Sequence, residues 1–342
     1  MSAKSNCNAF VRTIYGKYMP VLVASAGLIG ISSQAQAFTV NAIFASSVTS
    51  APNAATIISA FNTAAAAYTS AFTNPVTVNI TVGWGEVGGQ ALSSNSSGAS
   101  SVALAGYWTY AQMRTYLAPN VSLPATQTGP NYFAMARAEA KALGLVAATS
   151  TRNDGSVGFN SSLNWDFNPA GGISGYDFVG VAQHEIAEVL GRNTVITSSA
   201  GIGFYQKPVD LFRYSAPGVQ NYSYTDATYF SLDAGVTNLG WWDNSGGGGD
   251  RSDWLTGSGG SYPGDVQNAY LYPGATSLSL ADLALLGAIG WSGTPQTQAD
   301  VATFIGTSHG FSNVPEPASA MVLTVGLTGL ALARHSRSRV KV

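Results

Sequence analysis

The stretch DFVGVAQHEIAEVLGR, residues 177–192, decides how the central part of this 342-residue chain folds. Its apolar side chains return every three to four residues, as they do on one side of an α-helix. Asp177, or Ser174 before it, is a typical helix-capping residue, and Gly191 is typical of the position just after a helix. The sequence therefore predicts an amphipathic helix that ends near Leu190. Its packed side comprises Val179, Ala182, Ile186, Val189 and Leu190.

The opposite side of this helix carries His184 and Glu188, which are four residues and therefore about one turn apart. A catalytic zinc ion takes about three protein ligands and leaves one position open for water, with a base beside it. His184 and Glu188 are accordingly the predicted zinc ligands, and Glu185 is the predicted general base. The chain has only three His and five Glu, which argues against a coincidence. The alternative is a solvated helix face that carries two glutamates and a surface histidine.

The third zinc ligand must come from another segment. The other histidines, His309 and His335, lie near the C-terminus, so we expect a carboxylate, with a tyrosine oxygen or a second water as alternatives. Asp210 is the candidate, because an unpaired carboxylate in its apolar and aromatic surroundings would be costly. Arg213 is the alternative partner of Asp210. Tyr214 is a candidate hydrogen-bond donor to the oxyanion of a tetrahedral intermediate, and an ordinary half-buried tyrosine otherwise.

A second metal site is predicted around the glycine run at residues 246–249. Asp243, Asp250 and Asp253 flank this run and could bind calcium through carboxylate oxygens, although their spacing is not that of an EF-hand. The nearby tryptophans either line substrate subsites or pack in the core; they are Trp241, Trp242 and Trp254.

Periodicity elsewhere predicts one mixed α/β domain over residues 38–292. Residues 192–278 are rich in Gly, Asp and aromatic residues and predict irregular structure with short strands. Residues 293–313 are rich in Thr, Ser and Gly and predict a linker. The other predicted helices are 54–72, 109–117, 132–143 and 279–289, and the predicted strands are 76–82 and 156–160, the latter exposed or at a sheet edge.

Both termini are typical of export signals. Residues 1–37 combine basic residues, an apolar stretch and the small-residue pattern Ala35-Gln36-Ala37, which predicts a cleaved signal peptide, with a retained anchor as the alternative. Residues 314–342 begin with Val-Pro-Glu-Pro, continue with an apolar stretch and end in a basic tail, which places that end on the cytoplasmic side of a membrane. This order resembles the PEP-CTERM sorting signal of Gram-negative bacteria, which implies export to the cell surface and processing by an exosortase. A plain single-pass anchor predicts the same topology.

Charge and cysteine content exclude two kinds of chemistry. Between residues 38 and 313 the chain has eight basic and sixteen acidic residues and no basic run, so nucleic acid is not a predicted partner. The single cysteine, Cys7, lies in the predicted signal peptide, so the mature domain has neither a disulfide nor a thiolate ligand.

Residues 183–192, QHEIAEVLGR, resemble the metzincin zinc helix, His-Glu-x-x-His-x-x-Gly-x-x-His. They are more similar to a group of PEP-CTERM-bearing metalloproteases, in which a His-Glu-x-x-Glu-x-x-Gly-Arg helix precedes an Asp-Leu-Phe-Arg-Tyr segment, here residues 210–214. The resemblance covers most of residues 38–291 and implies a twisted, mostly parallel sheet, two long helices and a cleft below an edge strand. It makes His184 the first ligand, Glu185 the base and Gly191 the turn. Thr194 replaces the third metzincin histidine, and no methionine between residues 136 and 320 forms a Met-turn.

The sequence thus predicts an exported zinc metalloendopeptidase that acts on a protein or peptide substrate. An extended peptide would add to the predicted edge strand at residues 156–160 and present its carbonyl to the zinc. A non-catalytic surface or matrix protein with a protease-like fold is one alternative, favoured by the missing third histidine. A carbohydrate-binding β domain that uses the many aromatic residues and glycines is the other.

Overall fold

The computed structural model describes residues 37–168, 172, 174–196, 205–243, 249–257 and 260–308. The predicted signal peptide, apart from Ala37, and the predicted sorting signal lie outside these residues, so both stay predictions. In the part of the chain that is described, no helix combines the length and the apolar character needed to cross a membrane.

The described chain alternates helices and strands in its first half and has mostly short strands in its second half. The helices are α1 (Ser46–Thr49), α2 (Ala54–Ala71), α3 (Tyr110–Leu117), α4 (Arg137–Ala142), α5 (Phe178–Val189), α6 (Leu280–Ala288) and α7 (Pro295–Ser308), with a 3-10 helix at Pro208–Phe212. The strands are β1 (Thr39–Phe44), β2 (Thr77–Trp84), β3 (Glu86–Val87), β4 (Gln90–Ala91), β5 (Gly98–Val102), β6 (Leu104–Thr109), β7 (Tyr132–Ala136), β8 (Gly155–Phe159), β9 (Trp165–Asp166), β10 (Tyr176–Asp177), β11 (Tyr205–Gln206), β12 (Arg213–Ala216), β13 (Val219–Gln220), β14 (Tyr229–Phe230) and β15 (Gly240–Trp241).

A four-stranded sheet in the order β1-β2-β8-β5 organises the first half of the chain. β1, β2 and β8 are parallel, and β5 lies antiparallel to β8 at the edge. Helices α2 and α5 pack against each other beside this sheet. The hydroxyl of Tyr68 in α2 donates a hydrogen bond to the carbonyl oxygen of Gln183 in α5 at 2.7 Å. The predicted mixed α/β fold is therefore confirmed at this level.

Residues 156–160, predicted to be an exposed or edge strand, lie in the interior of the sheet instead. β8 is wholly buried between β2 and β5. Its glycines reflect close packing, because a side chain at Gly158 would collide with the backbone of Glu86, and one at Gly155 with the side chain of Val189. The edge position belongs to β5.

The helix predicted over residues 132–143 forms only in its second half. Tyr132–Ala136 is strand β7, which pairs with β6 on one side and with β11 on the other, and α4 begins at Arg137. Residues 133–136 are fully buried. Pairing and burial therefore outweigh the local preference of this alanine- and methionine-containing run for a helix.

Part of the predicted linker is helical. Residues 295–308 form α7, with Pro295 at its first position, and the Thr294 hydroxyl accepts a hydrogen bond from the Thr297 N–H at 3.2 Å. Val301 and Phe304 pack against the core. The capping threonine and the proline are the sequence signals of this helix. The high Thr, Ser and Gly content of the segment favours a linker instead, which is why the helix is not predicted.

Helix α5 is the segment that its sequence predicts. The Asp177 carboxylate caps it by accepting a hydrogen bond from the Gly180 N–H at 3.0 Å. The other oxygen of Asp177 accepts from the N–H and the hydroxyl of Thr276, at 3.0 and 2.9 Å. Gly191 follows the helix with a φ of +117°, a conformation that favours glycine. The predicted apolar side of the helix is buried.

Candidate metal centre

Three potential metal ligands converge at the side of α5 that faces a cavity. One ligand atom each from His184, Glu188 and Asp253 lies within 4.8 Å of the others. His184 and Glu188 are adjacent because a spacing of four residues brings side chains together on a helix. Asp253 comes from the loop that follows β15. The structure therefore groups the two helix residues that the sequence predicts with a carboxylate from 65 residues further along the chain.

The orientation of His184 is set by the segment that crosses in front of it. Its Nδ1 lies 2.8 Å from the carbonyl oxygen of Val266, which assigns the proton to Nδ1. The other ring nitrogen, Nε2, then faces Asp253 Oδ1 at 3.7 Å and carries the lone pair when the ring is neutral. A backbone acceptor on one nitrogen is the usual support of a histidine ligand.

Glu188 is held by the edge strand. The Ser100 hydroxyl of β5 donates a hydrogen bond to Glu188 Oε2 at 2.6 Å. Glu188 is nearly fully buried, at 6% exposure. A buried carboxylate with a serine hydroxyl on one oxygen has the arrangement of a ligand with a supporting partner.

Asp253 lies on a backbone that several contacts fix. Its N–H donates to the Asp250 carbonyl oxygen at 3.1 Å, and its own carbonyl oxygen accepts from the Asp243 N–H at 2.8 Å. The next residue, Trp254, is buried and stacks on Trp242 with ring centroids 4.7 Å apart. Within the described residues, the buried Oδ1 of Asp253 has no hydrogen-bond partner. A buried carboxylate oxygen without a donor is costly unless a cation satisfies it.

Glu185 lies between the ligand group and the edge strand. Its carboxyl group neighbours that of Glu188, and the two groups shift the pKa of each other. Its Oε2 is buried, without a partner among the described residues. Gly98 of β5 provides the space for it, because an added side-chain carbon there would collide with Glu185 Oε1.

Burial and neighbouring charges have opposing effects on the pKa values of these four side chains. Burial raises the pKa of Glu185 well above its usual range, and the neighbouring Glu188 raises it further. Burial also raises the pKa of Glu188, while His184 lowers it. Burial raises the pKa of Asp253 to about 7, against the opposing effect of His184. Burial lowers the pKa of His184, but the charges of Asp253 and Glu188 outweigh this and raise it.

The donor set suits a divalent cation. One imidazole nitrogen and two carboxylate oxygens are ligands that zinc accepts, at about 2.0–2.2 Å. Ligand atoms of a tetrahedral ion at that distance are about 3.4 Å apart, close to the 3.7 Å between His184 Nε2 and Asp253 Oδ1. Together with the unpartnered oxygens of Asp253 and Glu185, this spacing indicates that the residues fit a metal ion.

The group lines a cavity of about 730 Å³. One wall is the segment from Ser94 to Ser100, which leads into the edge strand β5, and another is the ligand-bearing side of α5. The third wall runs from Val266 to Leu271 and includes the partly exposed Tyr270. The cavity is large enough for several residues of an extended peptide.

Asp210, predicted as the third ligand, is not part of this group. Its Oδ1 accepts a hydrogen bond from the Thr194 hydroxyl at 2.7 Å, and its Oδ2 accepts from the Lys207 N–H at 3.1 Å. Arg213 Nε lies 3.8 Å from Asp210 Oδ1. Arg213 is thus the partner of this buried carboxylate, which was the alternative to ligation.

Tyr214 is not among the described residues that line the cavity. It is buried on β12, between β13 and β14, and burial raises its pKa to about 12. The predicted oxyanion donor therefore has the surroundings of an ordinary packed tyrosine.

Two of the aspartates predicted to bind calcium, Asp243 and Asp253, have different partners in the structure. Asp243 Oδ2 pairs with Arg251 Nη1 at 3.4 Å, and Asp253 belongs to the group with His184. Residues 244–248 lie outside the described part of the chain, so the calcium prediction stays untested. Trp242 and Trp254 are buried in the core, and Trp241 is half-buried.

Asp253 is the potential ligand that the sequence alone assigns to a calcium site instead. Its signal in the sequence is its position beside Trp254, because a carboxylate next to a buried tryptophan is drawn into the interior and needs a partner there.

Comparison of the chain with known protein families, with curated proteins and with solved structures finds no match.

Proposed function

We propose that this chain is an exported zinc metalloendopeptidase. The observation that carries the proposal is the convergence of His184, Glu188 and Asp253 at the wall of an open cavity, with Glu185 beside them. Three protein ligands with space for water are the requirement of a catalytic zinc site rather than of a closed structural one. A bound zinc ion supplies a Lewis acid that lowers the pKa of water and polarises a peptide carbonyl.

Glu185 is the general base of the proposed reaction. Glu185 directly follows His184 in the sequence and lines the same cavity. It is buried, with β5 packed against it. Burial and the neighbouring Glu188 raise the pKa of Glu185, so its carboxylate is a stronger base than that of an ordinary glutamate. Glu185 takes a proton from the attacking water and delivers it to the leaving amine.

The outer edge of β5 is the proposed docking site for the peptide substrate. Among the described strands, β5 pairs only with β8, so its other edge is available for backbone hydrogen bonds. The segment that begins β5 also lines the cavity. A peptide added to this edge as a further strand would run past His184 and Glu185.

The metzincin-like fold is part of the proposal. It is supported by a mostly parallel sheet whose antiparallel edge strand lies against the ligand-bearing helix. Location at the cell surface, membrane attachment before processing and recognition by an exosortase rest on the sequences of residues 1–37 and 314–342.

Peptide cleavage by the wild type and by Glu185→Gln tests the proposal. Mass spectrometry of a mixed peptide library, with the protein metal-free and then zinc-loaded, should show cleavage by the zinc-loaded wild type only. Loss of the base should lower kcat by about 10² to 10⁴ while zinc stays bound. Tyr214→Phe is the control and should keep full activity. Equal activity of Glu185→Gln and the wild type, or no zinc-dependent cleavage, contradicts the proposal.

A further inference from the structure

A fully buried arginine connects the two parts of the metal centre. Arg192 follows α5, the helix that carries His184 and Glu188, and has no exposed surface. Its Nη1 donates hydrogen bonds to the Ser252 carbonyl oxygen and to Gln267 Oε1, both at 2.7 Å. The guanidinium thereby joins the end of the helix to the residue that precedes Asp253.

The surroundings of Arg192 fix the guanidinium plane. It lies over the Trp254 ring at 4.6 Å from the centroid, and its Nη2 lies 3.4 Å from Asp282 Oδ1 of α6. The Trp254 indole N–H donates to the same Asp282 oxygen at 2.8 Å. Arg192 thus contacts the residues on both sides of Asp253, and its Nη1 lies 3.7 Å from Asp253 Oδ1.

The guanidinium is also linked to the backbone of His184 through Gln267. Gln267, which accepts from Arg192, donates through Nε2 to the His184 carbonyl oxygen at 3.4 Å. The neighbouring residue, Val266, provides the carbonyl that orients the His184 ring. One side chain therefore positions the segments on both sides of the metal group.

We infer that Arg192 is a positioning residue of the metal centre, which holds the Asp253 loop and the segment facing His184 at the end of α5. The inference rests on the proposed metal site and not on peptidase activity. Lysine keeps the charge but cannot make the forked contacts to Ser252, Gln267 and Asp282 together. Loss of such outer contacts weakens metal binding by about 10- to 100-fold.

Arg137, the first residue of α4, provides the control. It is also buried, its Nε lies 3.4 Å from Asp154 Oδ1, and its Nη2 donates to the Ser150 hydroxyl at 2.7 Å. None of the bonds described for it leads to Ser252, Gln267 or one of the three proposed ligands. Arg137→Lys therefore reproduces the packing cost of losing a buried guanidinium away from the metal centre.

The test is the zinc dissociation constant of wild type, Arg192→Lys and Arg137→Lys, measured by chelator competition, with cobalt absorption spectra as a second readout. We expect Arg192→Lys to bind zinc about 10- to 100-fold more weakly and to show an altered cobalt spectrum, and Arg137→Lys to match the wild type. If Arg192→Lys does not fold, Gln267→Met, which removes the connection to His184, takes its place with the same expectation.

Three results overturn the inference. A folded Arg192→Lys, or Gln267→Met in its place, with wild-type affinity and spectrum shows that the metal centre does not depend on this network. An equal loss in Arg137→Lys shows that general loosening of the core is responsible. A wild type that binds no metal removes the metal centre and the proposed function together, whereas a wild type that binds zinc but cleaves no peptide contradicts the proposed function alone.

Discussion

Replacing Asp253 with asparagine should abolish metal binding without destabilising the metal-free protein. Asp253 is buried, its Oδ1 lacks a hydrogen-bond donor among the described residues, and the neighbouring Arg192 keeps Asp282 as a second partner. A ligand residue of this kind stabilises the protein only when the metal is present. Replacing a residue with a purely structural role would destabilise the metal-free protein and leave metal binding intact.

The magnitude follows from the pKa of Asp253. Burial raises it from 3.8 to about 7, and one pKa unit corresponds to about 1.4 kcal/mol. A carboxyl group whose pKa is higher in the folded state contributes stability below its unfolded pKa and loses it as the pH rises through the folded pKa. The metal-free wild type therefore loses at most about 4 kcal/mol between pH 4 and pH 8 through this group. Asp253→Asn, which cannot ionise, escapes this loss.

Thermal unfolding at pH 8, with and without zinc, measures both effects. At a free zinc concentration 1,000-fold above Kd, the wild type gains about 4 kcal/mol, or about 8 °C in Tm for a domain of this size. Asp253→Asn should unfold at or above the temperature of the metal-free wild type and show no rise with zinc. Asp210→Asn is the matched control, because breaking its buried pair with Arg213 should cost about 3–5 kcal/mol while leaving the zinc-induced rise intact. A zinc-induced rise in Asp253→Asn, or its loss in Asp210→Asn, refutes the assignment of the third ligand.

Two further predictions concern the walls of the site and its protonation. Gly98→Ala should displace the Glu185 carboxyl group, because the added methyl group collides with Glu185 Oε1; zinc should stay bound while kcat falls by at least about tenfold, and unchanged kcat would contradict the role of Gly98. Chelation should lower Tm more at pH 8 than at pH 5.5, because the raised pKa values of Asp253, Glu185 and Glu188 let protons replace the cation at the lower pH. Equal Tm changes at the two pH values in calorimetry would show that protons and the metal ion do not compete for these carboxyl groups.

Local signals in the sequence predict the ligand-bearing helix well. The capping Asp177, the apolar periodicity and Gly191 act within a few residues of one another, so α5 and the pair His184 and Glu188 follow from spacing alone. Helix α6 is predicted for the same reason, since Ser279 and Asp282 form a capping box at its start.

The features that the sequence does not predict depend on distant contacts. β7 is a strand because β6 and β11 pair with it, and β8 is central because its glycines fit against Glu86 and Val189. Asp253 comes close to His184 and Glu188 only because Trp254 packs against Trp242 and Arg192. Spacing along the chain carries no signal for contacts of this kind, so the sequence alone favours Asp210, with its apolar surroundings, as the third ligand.

Anomalous X-ray scattering from crystals of the zinc-loaded protein, recorded on both sides of the zinc absorption edge, would locate the proposed zinc ion. We expect one zinc ion per chain, bound by His184 Nε2 and by carboxylate oxygens of Glu188 and Asp253, with the Glu185 carboxyl group beside the open position. An anomalous peak next to Asp210, or no peak at the end of the cavity formed by α5 and β5, would contradict it.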